Sequence, residues 1–257
     1  MTLLGPADVA PFRIINKAGR SSFLLLGDHA GNAVPAKLAR LGLGEGDLTR
    51  HIALDIGVST LGARLAQSLD ACFIEQRYSR LVVDCNRHAG AEDAMAAHSD
   101  GTMVPANRDL APADRAERLA EIYEPYHRAI AETLAERKHA GRSTVLVALH
   151  SFTPSLAGGA LRPWDIGVLH DGRNDGFARA LLAALNAQAG TAQPGLCVGD
   201  NQPYRMDDTD YTVPRHAYPA LPYVEVEVNQ RRLSDDPGVM QMASFLAGAL
   251  TEASAVA

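Results

Sequence analysis

Phe23-Leu24-Leu25-Leu26-Gly27-Asp28-His29-Ala30-Gly31-Asn32 is an apolar run that stops abruptly on a cluster of polar, ligand-capable side chains. Four consecutive apolar residues between Ser21-Ser22 and a glycine read as a buried strand. In open α/β sheets, ligands bind where such strands end. His29 is therefore the first candidate for a working residue, and the plain alternative is a histidine that caps the following turn.

The same pattern recurs along the chain. Strand-like segments at 12–15 and 71–75 are followed by one at 81–83 that runs into Asp84-Cys85-Asn86-Arg87-His88, and residues 144–149 run into His150-Ser151-Phe152. Residues 166–169 and 196–198 read as two more strands. Tyr223-Val224-Glu225-Val226-Glu227-Val228-Asn229 alternates, which puts the valines on one face and the glutamates on the other. Between these lie helical patterns. Residues 34–41 have Pro35 near their start, and Val58, Leu61, Leu65 and Leu69 recur after Asp55. A long helix is predicted over 112–140, kinked at Pro125 and ended by Gly141. Another begins near Asn174, and the last begins after Ser234-Asp235-Asp236-Pro237, with residues 254–257 expected to fray. Residues 89–109 read as a long loop that partly covers a site. Strands alternating with helices predict an α/β three-layer sandwich, a mixed, mostly parallel sheet with helices on both faces. No Pro-, Ser- or Gly-rich linker divides residues 1–257, so one domain is expected.

Composition narrows the class of function. The 257 residues are 47% apolar, enough for a substantial core. With 24 basic against 30 acidic side chains the net charge is −6, which argues against nucleic acid or an anionic membrane as the main partner. Cys72, Cys85 and Cys197 are scattered without a CxxC spacing, so neither a disulfide framework nor a thiolate zinc site is expected. The start of the chain lacks signal-peptide character and no apolar run approaches the roughly 20 residues of a membrane span. A cytoplasmic location is the expectation.

The strand-end clusters contain His29, Asn86-Arg87, His150 and the Glu225/Glu227 pair, which are the parts of a hydrolytic metal site. Histidine and carboxylate suit zinc, and a nearby glutamate can take the proton of its water. Asn86 beside Arg87 suggests a fork for a substrate carboxylate. Each piece has a plain alternative. Asp55 could be a helix N-cap, His150 a turn cap and Arg87 a partner of Asp84, and the two glutamates could be solvated. His127 and His139, on the long helix, are expected to be solvated. Ser151 follows His150, but there is no G-x-S-x-G elbow, which disfavours a serine hydrolase. A binding module would keep the arginines and dispense with the metal.

Taken together, these residues resemble the N-formylglutamate amidohydrolase family, whose members resemble zinc carboxypeptidases and aspartoacylases. The resemblance rests on the His-Ala-Gly at His29, on Asp55, on Tyr78-Ser79-Arg80-Leu81-Val82-Val83-Asp84-Cys85-Asn86-Arg87, and on His150-Ser151. Further along it rests on Asn201-Gln202-Pro203-Tyr204, Arg215-His216 and Glu227-Val228-Asn229. It implies a zinc-exopeptidase-like fold and hydrolysis of an N-acyl amino acid such as N-formyl-L-glutamate, in histidine degradation. One divalent metal, zinc first, would be held by His29, His150 and Asp55. Asp55 is preferred over Asn32, which stands where the carboxypeptidase relatives carry a glutamate ligand. Glu227 would be the general base. Asn86, Arg87, Arg80, Asn201, Arg215 and His216 would bind substrate. The expected partner is a small anionic molecule, with no nucleic acid and no membrane, and a homo-oligomer is left open. Ala53, Ile56 and Arg205-Met206-Asp207-Asp208 depart from the better-known members and mark a divergent branch.

Overall fold

The computed structural model describes residues 2–191 and 195–256. In chain order the strands are β1 (Phe12–Ile15), β2 (Phe23–Gly27), β3 (Cys72–Gln76), β4 (His98–Ser99), β5 (Thr102–Met103), β6 (Val145–Phe152), β7 (Ile166–Leu169), β8 (Val198–Asp200) and β9 (Tyr223–Asn229). The helices are α1 (Val58–Leu69), α2 (Pro112–Arg118), α3 (Glu124–His139), α4 (Gly176–Thr191), α5 (Thr212–Ala217) and α6 (Asp236–Val256).

Seven strands form one sheet in the order β1-β3-β2-β6-β9-β7-β8. β3, β2, β6 and β9 run parallel to one another, β7 and β8 are parallel to each other, and β1 and β7 are antiparallel to β3 and β9 respectively. β2 lies inside the sheet and is buried at every position, as a strand covered on both faces must be. Its side chains alternate between two cores. Phe23 and Leu25 join Val147, Val226 and the apolar stripes of α1, α4 and α6 on one face. Leu24 and Leu26 join Leu146, Ala148, Tyr126, Ile130 and Val213 of α5 on the other. The expected three layers are therefore present, with helices on both faces of a mixed sheet.

Several local expectations are corrected. Residues 81–83 are not a strand: the chain turns there, with Val82 N donating to Ser79 O, and the three apolar side chains are core filling beneath a loop. Residues 34–41 form no regular helix but a 3₁₀ segment, Ala36–Gly42, with positive φ at Ala39, Arg40 and Leu41. Ahead of Pro125 the long helix widens into a π turn, Leu119–Tyr123, joining α2 to α3. The strand expected at 196–198 begins at Val198. α6 continues to Val256 without fraying, while Ala257 lies outside the described residues. By length and composition α6 could cross a membrane, contrary to the expectation that no run comes close, but Val239, Met242, Leu246 and Leu250 are buried in the core with α1 and α4.

Candidate metal centre and active site

Polar side chains meet where the parallel strands end. β2 leaves the sheet at Gly27, and Asp28 and His29 follow it into the interior. Gly31 lets that loop press on the chain after β3, since a Cβ there would lie 2.0 Å from Arg77 O. The Asp55 amide donates to His29 O at 2.9 Å, which ties the entry of α1 to the same spot. His150 lies near the end of β6, in register with Glu227 of β9, and Ala148 is in register with Glu225. Both glutamates are buried on the face opposite the valines, as the alternation predicts, and are not solvated. Gly167, opposite Glu227 on β7, lets the next loop cross closely: a Cβ there would meet Gln202 O at 2.0 Å.

His29, Asp55 and His150 offer ligand atoms that all lie within 4.8 Å of one another. His150 Nδ1 is 2.9 Å and His29 Nδ1 3.4 Å from the same oxygen, Asp55 Oδ2. The far nitrogens face other carboxylates. His29 Nε2 is 2.7 Å from Asp84 Oδ1, and His150 Nε2 is 3.5 Å from Asp28 Oδ2. His29 Nδ1, His150 Nε2, Asp28 Oδ2, Glu225 Oε2 and Glu227 Oε2 are buried without a hydrogen bond. Two imidazoles and a carboxylate around unbonded polar atoms are a donor set that fits a divalent cation. Asn32 is exposed and donates to Leu48 O, away from this cluster.

Charge balance is strongly perturbed here. Burial alone would raise the Asp55 carboxyl, but His29 and His150 beside it hold it far below the usual carboxylate range. Asp84 is likewise held low against burial by His29 and Arg80. Burial disfavours protonated His150, yet Glu225, Asp28 and Asp55 overcome it and raise its pKa. Burial pushes Glu225 up to about 8 and Glu227 up to about 7, with His150 pulling both the other way.

A cavity of about 340 Å³ opens on the cluster, lined also by Arg80, Asn86, Arg87, Phe152, Tyr204, Asp210 and both glutamates. A second of similar size adjoins it, sharing His51, Arg80, Arg87 and Tyr204 and reaching Asp93, Ser99 and Asp100 of the 89–109 segment. Arg80, not Arg87, pairs with Asp84, at 2.8 Å, and its other arm reaches Asp55 at 3.4 Å. Arg87 bonds Asp93 at 2.9 Å and lies 3.5 Å from Asp210.

Other sequence candidates are placed differently from expectation. Asn86 borders the cavity, but its side-chain oxygen accepts from Tyr211 N and Thr212 N and its amide donates to Asp210, so its fork is used inside the protein. Asn201 Oδ1 accepts from His170 N and does not line this cavity. Arg215 is exposed, its guanidinium 5.2 Å from the Tyr211 ring centre. His216 stacks on His127, which is fully buried rather than solvated and bonds Cys85 O. The expected substrate contacts of Asn201, Arg215 and His216 thus find no support in their positions. Ser151 Oγ donates to Ile56 O and accepts from Gln230 Nε2, and no histidine bonds it among the described residues. Sequence reasoning passed over Asp28. Its adjacency to His29 was the only signal, and on an extended strand neighbours diverge.

The sequence model of a family described as N-formylglutamate amidohydrolase matches residues 21–233. A curated N-formylglutamate deformylase of Pseudomonas aeruginosa is 32% identical over 137 residues, covering 48% of this chain and 52% of that protein, so the match spans about half the length of the relative. A crystal structure of a gene product of Agrobacterium tumefaciens is 33% identical and superposes with a TM-score of 0.90 over 98% of each chain. An N-formylglutamate amidohydrolase of Ralstonia eutropha, 18% identical, shares the fold with a TM-score of 0.74, over 96% of this chain and 98% of that one.

Proposed function

The chain belongs to the N-formylglutamate amidohydrolase family, and from that premise we propose that it hydrolyses the amide of an N-acyl acidic amino acid, N-formyl-L-glutamate first among them. The observation that supports this reading most directly is the convergence of His29, Asp55 and His150 beside a glutamate with an unbonded oxygen. Those three residues would hold one divalent cation, zinc by its affinity for imidazole and carboxylate donors. Such a cation supplies Lewis acidity, polarising a carbonyl oxygen and lowering the pKa of a water to about 7.

The protein's own groups do the rest. Glu227 sits across the β6–β9 ladder from His150, and its carboxyl, lifted to about 7 by burial, is matched to exchange a proton near neutral pH. It takes a proton from the attacking water and delivers it to the leaving nitrogen. The C–O bond forms, the C–N bond breaks, and for the formyl substrate formate and the free amino acid result. Arg87, which borders the cavity, bonds Asp93 at 2.9 Å and lies 3.5 Å from Asp210, would anchor a substrate carboxylate. Arg80, with His29, keeps Asp84 ionised; it also reaches Asp55 and borders the same cavity.

The test is amine release from N-formyl-L-glutamate and N-acetyl-L-glutamate by purified protein, before and after chelation and on return of Zn²⁺. Release should stop with chelator and resume with zinc. Full turnover in chelator rejects the metal reading, and no release from either substrate with zinc present rejects the proposed activity.

A further inference from the structure

Each histidine of the cluster has a second nitrogen turned away from Asp55, and each of those nitrogens faces a different buried aspartate. Asp84 receives His29 Nε2 at 2.7 Å, while its oxygens also accept from Asn86 N and from Arg80. Asp28 faces His150 Nε2 at 3.5 Å through Oδ2, and its Oδ1 accepts from Tyr126 OH at 2.8 Å and Thr212 Oγ1 at 2.9 Å. Asp28 Oδ2 and His150 Nε2, 3.5 Å apart, have no hydrogen-bond partner among the described residues. Both carboxylates are almost wholly buried. A buried carboxylate aimed at one imidazole nitrogen needs a proton on that nitrogen, and the proton can then not be on the other one in a neutral ring.

We propose that Asp28 and Asp84 are positioning residues for the cation: each fixes one histidine with Nε2 protonated, so that His150 and His29 both present Nδ1 as the ligand atom beside Asp55. The proposal rests on the metal reading above and adds to it which nitrogens bind and what orients them. The two aspartates are themselves held from different elements. Asp84 is fixed by the turn that carries Arg80, and Asp28 by a tyrosine of α3 and the first residue of α5. The ligand rings are thereby set by the helical layer as well as by the strand ends. Such outer carboxylates also make the imidazole a better donor.

Two measurements test this on the full chain. Zinc affinity, by competition with a chromophoric chelator, should fall about 10–100-fold in both Asp28→Asn and Asp84→Asn, as for other outer partners of metal-bound histidines. The visible absorption of the cobalt(II)-loaded variants should also shift from that of the cobalt-loaded wild type, a change that loss of stability alone would not cause. If the variants fail to fold, the wild type still decides: histidine ¹⁵N spectra of the zinc-loaded protein should show Nε2 protonated and Nδ1 metal-bound in both rings. Zinc on Nε2 of either ring, or unchanged affinity in both variants, overturns the proposal while leaving the metal reading intact. A wild-type protein that takes up no zinc overturns both.

Discussion

At Glu227 a single side chain depends on two periodicities. The alternation of β9 sends it to the face away from the valine core, and the β6–β9 register sets it opposite His150. Burial then leaves one carboxylate oxygen without a partner. Replacing it by glutamine keeps the size and removes the proton acceptor. Glu227→Gln should therefore retain zinc, measured by elemental analysis, and lose about 10²–10⁴-fold in kcat. Turnover at the wild-type rate would transfer the base role elsewhere, with Glu225 the obvious heir. The alternation itself is legible in the sequence. That the glutamates are buried is not, because a Val-Glu repeat reads equally well as a strand with one solvated face. Asp28 was illegible for a related reason: its contact with His150 joins positions whose proximity only the sheet order β2-β6 creates.

Among the elements, the segment from Asp84 to Arg87 and the short helix α5 define each other. Asn86 accepts from the amides of Tyr211 and Thr212, so a side chain more than a hundred residues away starts α5. Thr212 is fully buried, and its amide would lose this partner with no water to replace it. Asn86→Ala should destabilise the protein by about 1–3 kcal/mol in urea unfolding, the usual cost of leaving a buried donor unpaired. An unchanged unfolding midpoint with a raised KM would return Asn86 to the role of substrate clamp. The sequence suggested the clamp because an Asn-Arg pair after an apolar run looks the same whether its amide faces a ligand or a distant backbone. Residues 81–83 misled in the same way. Three apolar residues satisfy a strand pattern and a buried turn alike, and only the hydrogen bond from Val82 N to Ser79 O separates the two. Longer elements such as β2, α1 and α6 were legible because their burial repeats over several turns or along a whole strand.

Across the whole molecule, the packing of α3 on α5 buries His127, which the helical pattern assigned to solvent, against His216. His127 Nε2 is 3.0 Å from Cys85 O, a group that only accepts, so Nε2 carries a proton; in a neutral ring Nδ1 then accepts from His216 Nε2 at 3.0 Å. Burial favours the neutral form of both rings. Burial lowers His127 to about 4, with Asp28 opposing and Arg215 assisting, and it lowers His216 to about 3, with His127 and Arg215 assisting. An unfolded histidine takes its proton near 6.5. Between pH 6.5 and 4 the unfolded chain therefore binds more protons than the folded one, and stability falls as the pH falls through that window. The lowering of His127 corresponds to roughly 3 kcal/mol by the bottom of it. His29 and His150 shift the other way and favour the folded state at acid pH, so the pair must be isolated by difference. Urea unfolding of the metal-free wild type and of a His127→Gln/His216→Gln double variant, at steps from pH 7 to 4, provides that difference. The wild type should lose stability more steeply than the variant on acidification, by at least the roughly 3 kcal/mol that His127 contributes, since His216 adds to it over the same window. Parallel curves would mean that one of the rings is already protonated in the folded protein, sharing its proton across the 3.0 Å ring contact, and would overturn the neutral-pair reading.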